Sequence, residues 1–132
     1  MEIIQTVPSF DPDTHTVADT CADVVAADHL VRTWDVRPLT AAEIAAAKAE
    51  VVAKVETLAS TRLDAIDAKS VRPLRASIAG TATADDTAKL QALEVAATAA
   101  RANRAALIAS IAAAADLKAA RALDITSGWP TA

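Results

Sequence analysis

The feature that most constrains this chain is where its alanines fall. Of 36 alanines in 132 residues, four precede Thr40 and 32 follow Leu39. Alanine is the best helix former and loses no side-chain entropy on ordering, so the chain divides at Leu39/Thr40 into a segment of another kind and a long helical one. Alanine also buries little apolar area. Although 53% of the residues are hydrophobic, bulky side chains are too few for a deep core, and burial at roughly 25 cal/mol per Å² has a large ordering entropy to offset. The composition therefore favours association, with itself or a partner, over a free monomer.

Residues 1–39 read as strands and turns. "EIIQTV" alternates loosely, and "PSFDPDT" is a break rich in proline and aspartate. "HLVRTWDVRPL" alternates cleanly, with Leu30, Arg32, Trp34 and Val36 on one side and Val31, Thr33, Asp35 and Arg37 on the other. This period of two predicts a strand. "ADVVAADHL" supplies its hairpin partner, with Ala27-Asp28 near the turn. The expectation is a small antiparallel unit of two or three strands, marginal by itself.

From Thr40 the period becomes helical. Thr40 and Glu43 are spaced as a capping box, with Leu39 and Ile44 at the staple positions. Ile44, Val51, Val55, Leu58 and Ile66 form one stripe, interrupted by Lys48 and Arg62, which predicts a helix over about 41–68. "VRPL" occurs at 36–39 and again at 71–74, but the residues that follow share no pattern of large side chains, so no repeat is inferred. The second copy places Pro73 in the first turn of a short helix over about 71–79, closed by Gly80. Thr83 then caps a helix over about 84–114, striped by Leu90, Leu93, Ala97, Ala100, Leu107 and Ile111, and Asp116 caps a last turn from Leu117 to Leu123. The fold class expected is mainly α with a small N-terminal β unit (α+β): a β-rich unit at 1–39, an alanine-rich antiparallel helical hairpin at 40–123 and a docking tail at 124–132.

Little in the chain resembles chemistry. His15, Cys21 and His29 are isolated and lack the close pairing of zinc ligands, so no metal is expected. Cys21 with either histidine lacks a glycine elbow, and Gly80 and Gly128 are the only glycines, which leaves no phosphate-cradling loop. Asp85 and Asp86 are accounted for by a helix start. The expectation is a protein that is not an enzyme and needs no cofactor or small-molecule substrate. Net charge is −5 over residues 1–39 (two basic, seven acidic) and +1 beyond (eleven basic, ten acidic). No basic face is available for nucleic acid. Arg101 and Arg104, and Lys118 and Arg121, are read as solvated helix charges. One cysteine, no basic and apolar leader, and no long uncharged apolar run point to a cytoplasmic, non-membrane protein.

Four residues are candidates for partner binding. Trp34 and Arg37 are of the types that anchor interfaces; the other reading makes Trp34 the core of the small sheet, packed on a helix. Trp129, between Gly128 and Pro130 in "DITSGWPTA", is one of only two tryptophans and reads as a plug that docks on this protein's own sheet or on a partner.

Three segments carry a resemblance. "LIASIAAAADLKAARALDITSGWP" (107–130) resembles the ending of small phage proteins encoded beside tail-fibre genes. "WDVRPLTAAEIAA" (34–46) is similar to the strand-to-helix junction of tail-fibre assembly proteins, and "RPLRASIAGTATADDTAKLQALE" (72–94) to alanine-rich phage tail accessory proteins. The resemblance implies a non-enzymatic helper that binds a tail-fibre or receptor-binding protein. It would act in the host bacterial cytoplasm as an assembly chaperone, or remain in the virion as a small structural subunit. The alternative from the residues alone is an oligomeric helical regulatory module whose acidic β unit binds a basic host protein.

Overall fold

The computed structural model describes residues 1–131. Three strands, β1 (Glu2–Thr6), β2 (His15–Val25) and β3 (His29–Pro38), precede three helices, α1 (Ala41–Ile78), α2 (Ala84–Ala113) and α3 (Leu117–Ala122). This is the α+β arrangement expected, with the division where the alanines begin.

The sheet order is β1-β3-β2. β2 and β3 form the expected antiparallel hairpin around Ala27-Asp28, but β1 joins β3 in parallel. The reason lies in residues 7–14. Asp11 accepts the amides of Thr14 (3.1 Å) and His15 (2.9 Å) through its carbonyl and that of Asp13 through its carboxylate (2.9 Å). The segment thus carries the chain to the far edge of the sheet instead of turning it back beside β1, which leaves β3 in the centre. β2 also starts earlier than expected, because Asp and Ala dilute an alternation that its Thr and Val residues sustain.

Thr40 opens α1 with the reciprocal capping box: its hydroxyl accepts the Glu43 amide at 3.2 Å, and Glu43 accepts the Thr40 amide at 2.8 Å. The helix then runs without interruption to Ile78, about 57 Å at 1.5 Å per residue. The break expected near residue 70 is absent. Ser70 turns its hydroxyl back to the Asp67 carbonyl (2.7 Å) and caps nothing, and Pro73 lies inside the helix. Proline forfeits one backbone bond there; its fully buried ring offsets part of that loss. Termination comes at Gly80, as expected. The amide of Thr81 reaches the Ala76 carbonyl (2.9 Å) and that of Gly80 reaches Ser77 (3.2 Å), both bonds of a Schellman ending. Thr83 and Asp86 form a second capping box at α2, and Asp116 accepts the Ala119 amide at 2.7 Å to start α3.

α1 and α2 pack as an antiparallel hairpin, and α3 folds back onto both. The larger core cluster contains Val51, Val55, Ala59, Ala100, Ile111, Ala120 and Trp129; a smaller one holds Ile66, Leu93, Ala96 and Ala97. Lys48, which broke the apolar stripe of α1, donates to the Ala114 carbonyl (2.7 Å) and closes the end of α2. Arg104 is not a free surface charge but grips Glu56 with two bonds, 2.6 and 2.7 Å, across the helices.

Both glycines have positive φ, +70° at Gly80 and +80° at Gly128. A Cβ at Gly80 would meet nothing within 4 Å, whereas one at Gly128 would lie 2.9 Å from the Asn103 side-chain oxygen. Urea unfolding should show Gly80→Ala costing about 1 kcal/mol for the left-handed backbone alone. Gly128→Ala should cost at least as much, and Asn103→Ala in the same chain should recover part of the difference.

Candidate protein-docking surface

No strand packs against any helix. The sheet is a single layer, and among the described residues of 1–39 none is buried. Register assigns its two faces. One carries Ile3, Gln5, Val17, Cys21, Val25, Leu30, Trp34 and Val36, with Arg32 and Asp23 paired between them; the other carries Ile4, Thr6, Thr20, Val24, Val31, Thr33 and Asp35. Side-chain bonds agree with this division: Trp34 Nε1 donates to Gln5 (3.2 Å) on the first face, and Thr20 donates to Asp35 (2.6 Å) on the second. On the first face Ile3 is 55% exposed and Val25 68%; on the second, Val24 is 64% exposed. The first face is mostly apolar and nothing covers it.

The four candidates separate. Trp34 stands in the middle of this uncovered face. It does not pack on a helix, so the reading of it as an interior anchor for the sheet is corrected: its ring is half-buried by neighbouring strands only. Arg37 lies on the opposite side and is engaged. It donates to both oxygens of Glu43 at 2.6 and 2.9 Å, tying β3 to the capping box of α1. Trp129 docks in cis, but among the helices and not on the sheet. Its ring is 9% exposed within the main helical core, and its Nε1 donates to the Ile125 carbonyl at 2.9 Å. A buried side chain holding its own helices together is not a free anchor for a partner, so Trp129 leaves the candidate set. Pro130 lies beside it, half-buried, next to Arg62 and Ala65 of α1. The tail is shaped for this seat. Asp124 accepts the amide and hydroxyl of Thr126 (2.9 and 2.7 Å), and Asn103 reaches the Ser127 carbonyl at 3.5 Å.

The electrostatics of the sheet are one-sided. Arg32 holds Asp23 through two 2.8 Å bonds and keeps its carboxyl below the usual range. Arg37 does the same for Glu43, which with the Thr40 amide falls to about 2. Both arginines of the segment are therefore paired. A third link, from Asp13 in the β1–β2 connection to Arg121 of α3, ties the sheet to the stem. Sequence reasoning missed this partner because the two residues lie 108 apart.

Metal chemistry finds no site among the described residues: no group of three or more His, Cys, Asp or Glu is placed to hold an ion. His15 contacts Thr14, His29 contacts Asp28, and Cys21 is exposed. No helix among the described residues is long and apolar enough to cross a membrane. No protein-family model, curated protein or solved structure matches the chain.

The two tryptophans should respond differently to removal. Trp129→Ala should cost about 3–5 kcal/mol in urea unfolding followed by helical circular dichroism, while Trp34→Ala should leave the helical transition within about 0.5 kcal/mol of the parent. Equal losses would mean that the sheet and stem share one core.

Glu43 sets an acid limit on the junction. Its folded pKa, about 2, lies below its ordinary 4.5. The stabilisation it provides is complete above the ordinary value and is lost as the pH falls through about 2. In an NMR titration of side-chain carboxyls, Arg37→Ala should move the Glu43 midpoint upward toward 4.5.

Proposed function

We propose that this chain is a non-enzymatic adaptor that docks a protein partner on its uncovered sheet, and that the partner is a bacteriophage tail-fibre or receptor-binding protein. The observation that carries the docking reading is the sheet's uncovered apolar face, where Ile3, Val17 and Val25 are exposed beside half-buried Trp34 and Leu30, although the helices have a closed core of their own. Exposed contiguous apolar surface of this kind is the usual mark of a binding site, and tryptophan at its centre is the residue type that most often dominates interface energy. The tail-fibre partner rests on the resemblance of segments 34–46, 72–94 and 107–130.

On this reading the helical stem is a handle. It holds the sheet at one end through the Arg37–Glu43 and Asp13–Arg121 pairs, and the partner supplies the second layer that the sheet lacks. Binding would then stabilise the sheet by mass action. Such a helper acts in the host cytoplasm while fibres fold or trimerise, or stays in the virion as a small subunit; its presence in purified particles distinguishes the two.

A second reading, a regulatory module that binds a basic host protein, draws on the net charge of −5 over residues 1–39. Self-association through the helices has one observation in its favour: Val95, 70% exposed, stands on the outer side of α2 among Ala99 and Ala102.

Size exclusion coupled to light scattering, on the chain alone and co-expressed with a tail-fibre protein encoded in the same genome, tests the proposal. A stable complex is expected, weakened on the order of tenfold or more by Trp34→Ala and unaffected by Val95→Ala. A folded chain that elutes apart from the fibre protein would sink the fibre reading. A complex lost on Val95→Ala but not on Trp34→Ala would move the interface to the stem.

A further inference from the structure

The two outer edges of the sheet are not equivalent. Along β2 the register shifts between Val17 and Cys21, and Asp19 and Asp23 stand on the strand. A bulge and edge charges are the devices by which natural sheets keep edges from pairing. β1 has neither. It pairs with β3 in unbroken register from Glu2 to Thr6, contains no proline or lysine, and lies at the end of the strand order. Its outer backbone groups are open, and Ile3 and Ile4 are both exposed.

Register adds a second observation. Ile3, Leu30 and Val25 form a straight row across all three strands on one face, and Ile4, Val31 and Val24 form the matching row on the other. A strand of alternating pattern laid against β1 would lengthen the Ile3 row with its apolar residues and set its other residues on the opposite face, which carries Glu2. Backbone bonds would supply affinity and the two rows would set the phase of the incoming side chains.

We propose that the outer edge of β1 is a strand-addition site whose occupant is an extended segment of a partner protein, with apolar residues alternating with lysine or arginine. This rests on the docking reading above and names the place and the chemistry. Charge selects the occupant. Residues 1–39 carry seven acidic and two basic side chains, and both arginines are already bound, Arg32 to Asp23 and Arg37 to Glu43. Glu2 on β1 and Asp28 at the adjoining turn have no arginine or lysine partner in an ion pair. A second copy laid edge to edge would bring another net −5 against the first, whereas a basic strand meets complementary charge.

The test titrates the ¹⁵N-labelled full chain with three synthetic peptides. One alternates valine and lysine, one has the same residues in two blocks, and one alternates valine and glutamate. The alternating basic peptide should shift and protect the amides of residues 2–6. The other two should bind at least about tenfold more weakly. Ile4→Lys, which adds an edge charge and deletes no backbone donor, should weaken the first peptide by a similar factor, while Val95→Ala should not. Equal binding of the glutamate or block peptide would overturn the chemistry, and failure of all three to bind would overturn the site. Shifts confined to residues 15–38 would overturn the β1 edge yet leave docking on the sheet intact. Concentration-dependent protection of residues 2–6 without peptide would give the edge to a second copy and overturn the proposal. The fibre reading is judged separately, by co-elution.

Discussion

The seat of Trp129 between α1 and α2 is the contact on which the stem depends. Helices lined by alanine can approach closely, but each alanine removes little surface from water, so the pair needs bulk from elsewhere. Ile111 and Leu117 provide it at the end of the hairpin where α3 folds back, and Trp129 provides it nearer the middle, beside Asn103 and Arg62. An aromatic ring buries about 150–250 Å², several alanines' worth at one position. Gly128 is what lets the chain bring that ring in: its positive φ and missing Cβ allow the backbone to pass against Asn103. The farther half of the hairpin lacks such a plug. Its cluster is only Ile66, Leu93, Ala96 and Ala97 with Leu63 beside them, and Val71, Leu74 and Ile78 stay exposed.

The sheet depends on a different physics. With no second layer, its order comes from backbone bonds, cross-strand pairs and the tethers at its base. Glu43 serves two structures at once, completing the cap of α1 and binding Arg37 of β3. The direction in which β3 leaves the sheet and the position where α1 begins are therefore coupled through one carboxylate. Asp13 and Arg121 fix the other side, and the backbone bond from the Leu39 amide to the Thr14 carbonyl (2.9 Å) lies between them.

Most of the elements were legible in the chain because their signals are local. Thr40 with Glu43, Gly80, Thr83 and Asp116 all mark ends that the structure has. What was not legible depended on contacts distant in sequence. Pro73 reads as a break because its local cost is clear, while the burial that offsets it is not. β1 reads as a member of an antiparallel unit because adjacent strands usually pair that way; only the path of residues 7–14 places it parallel beside β3. For the candidate surface, the alternation around Trp34 identified the apolar side of the strand, but not that no helix would pack on it. Arg37 and Trp129 were picked for their residue types, and each proved to have an intramolecular partner.

The separation of sheet from stem has a consequence for how such a chain can change. Apart from the Arg37–Glu43 and Asp13–Arg121 ion pairs at the base, no strand is packed against a helix. A substitution at Ile3, Leu30 or Trp34 thus asks for no compensating change among Val55, Ala100 or Ile111. The surface of the sheet can drift at little penalty to the scaffold, whereas the alanine-lined stem, where one extra methylene would push two helices apart, is held to a narrow choice of residues.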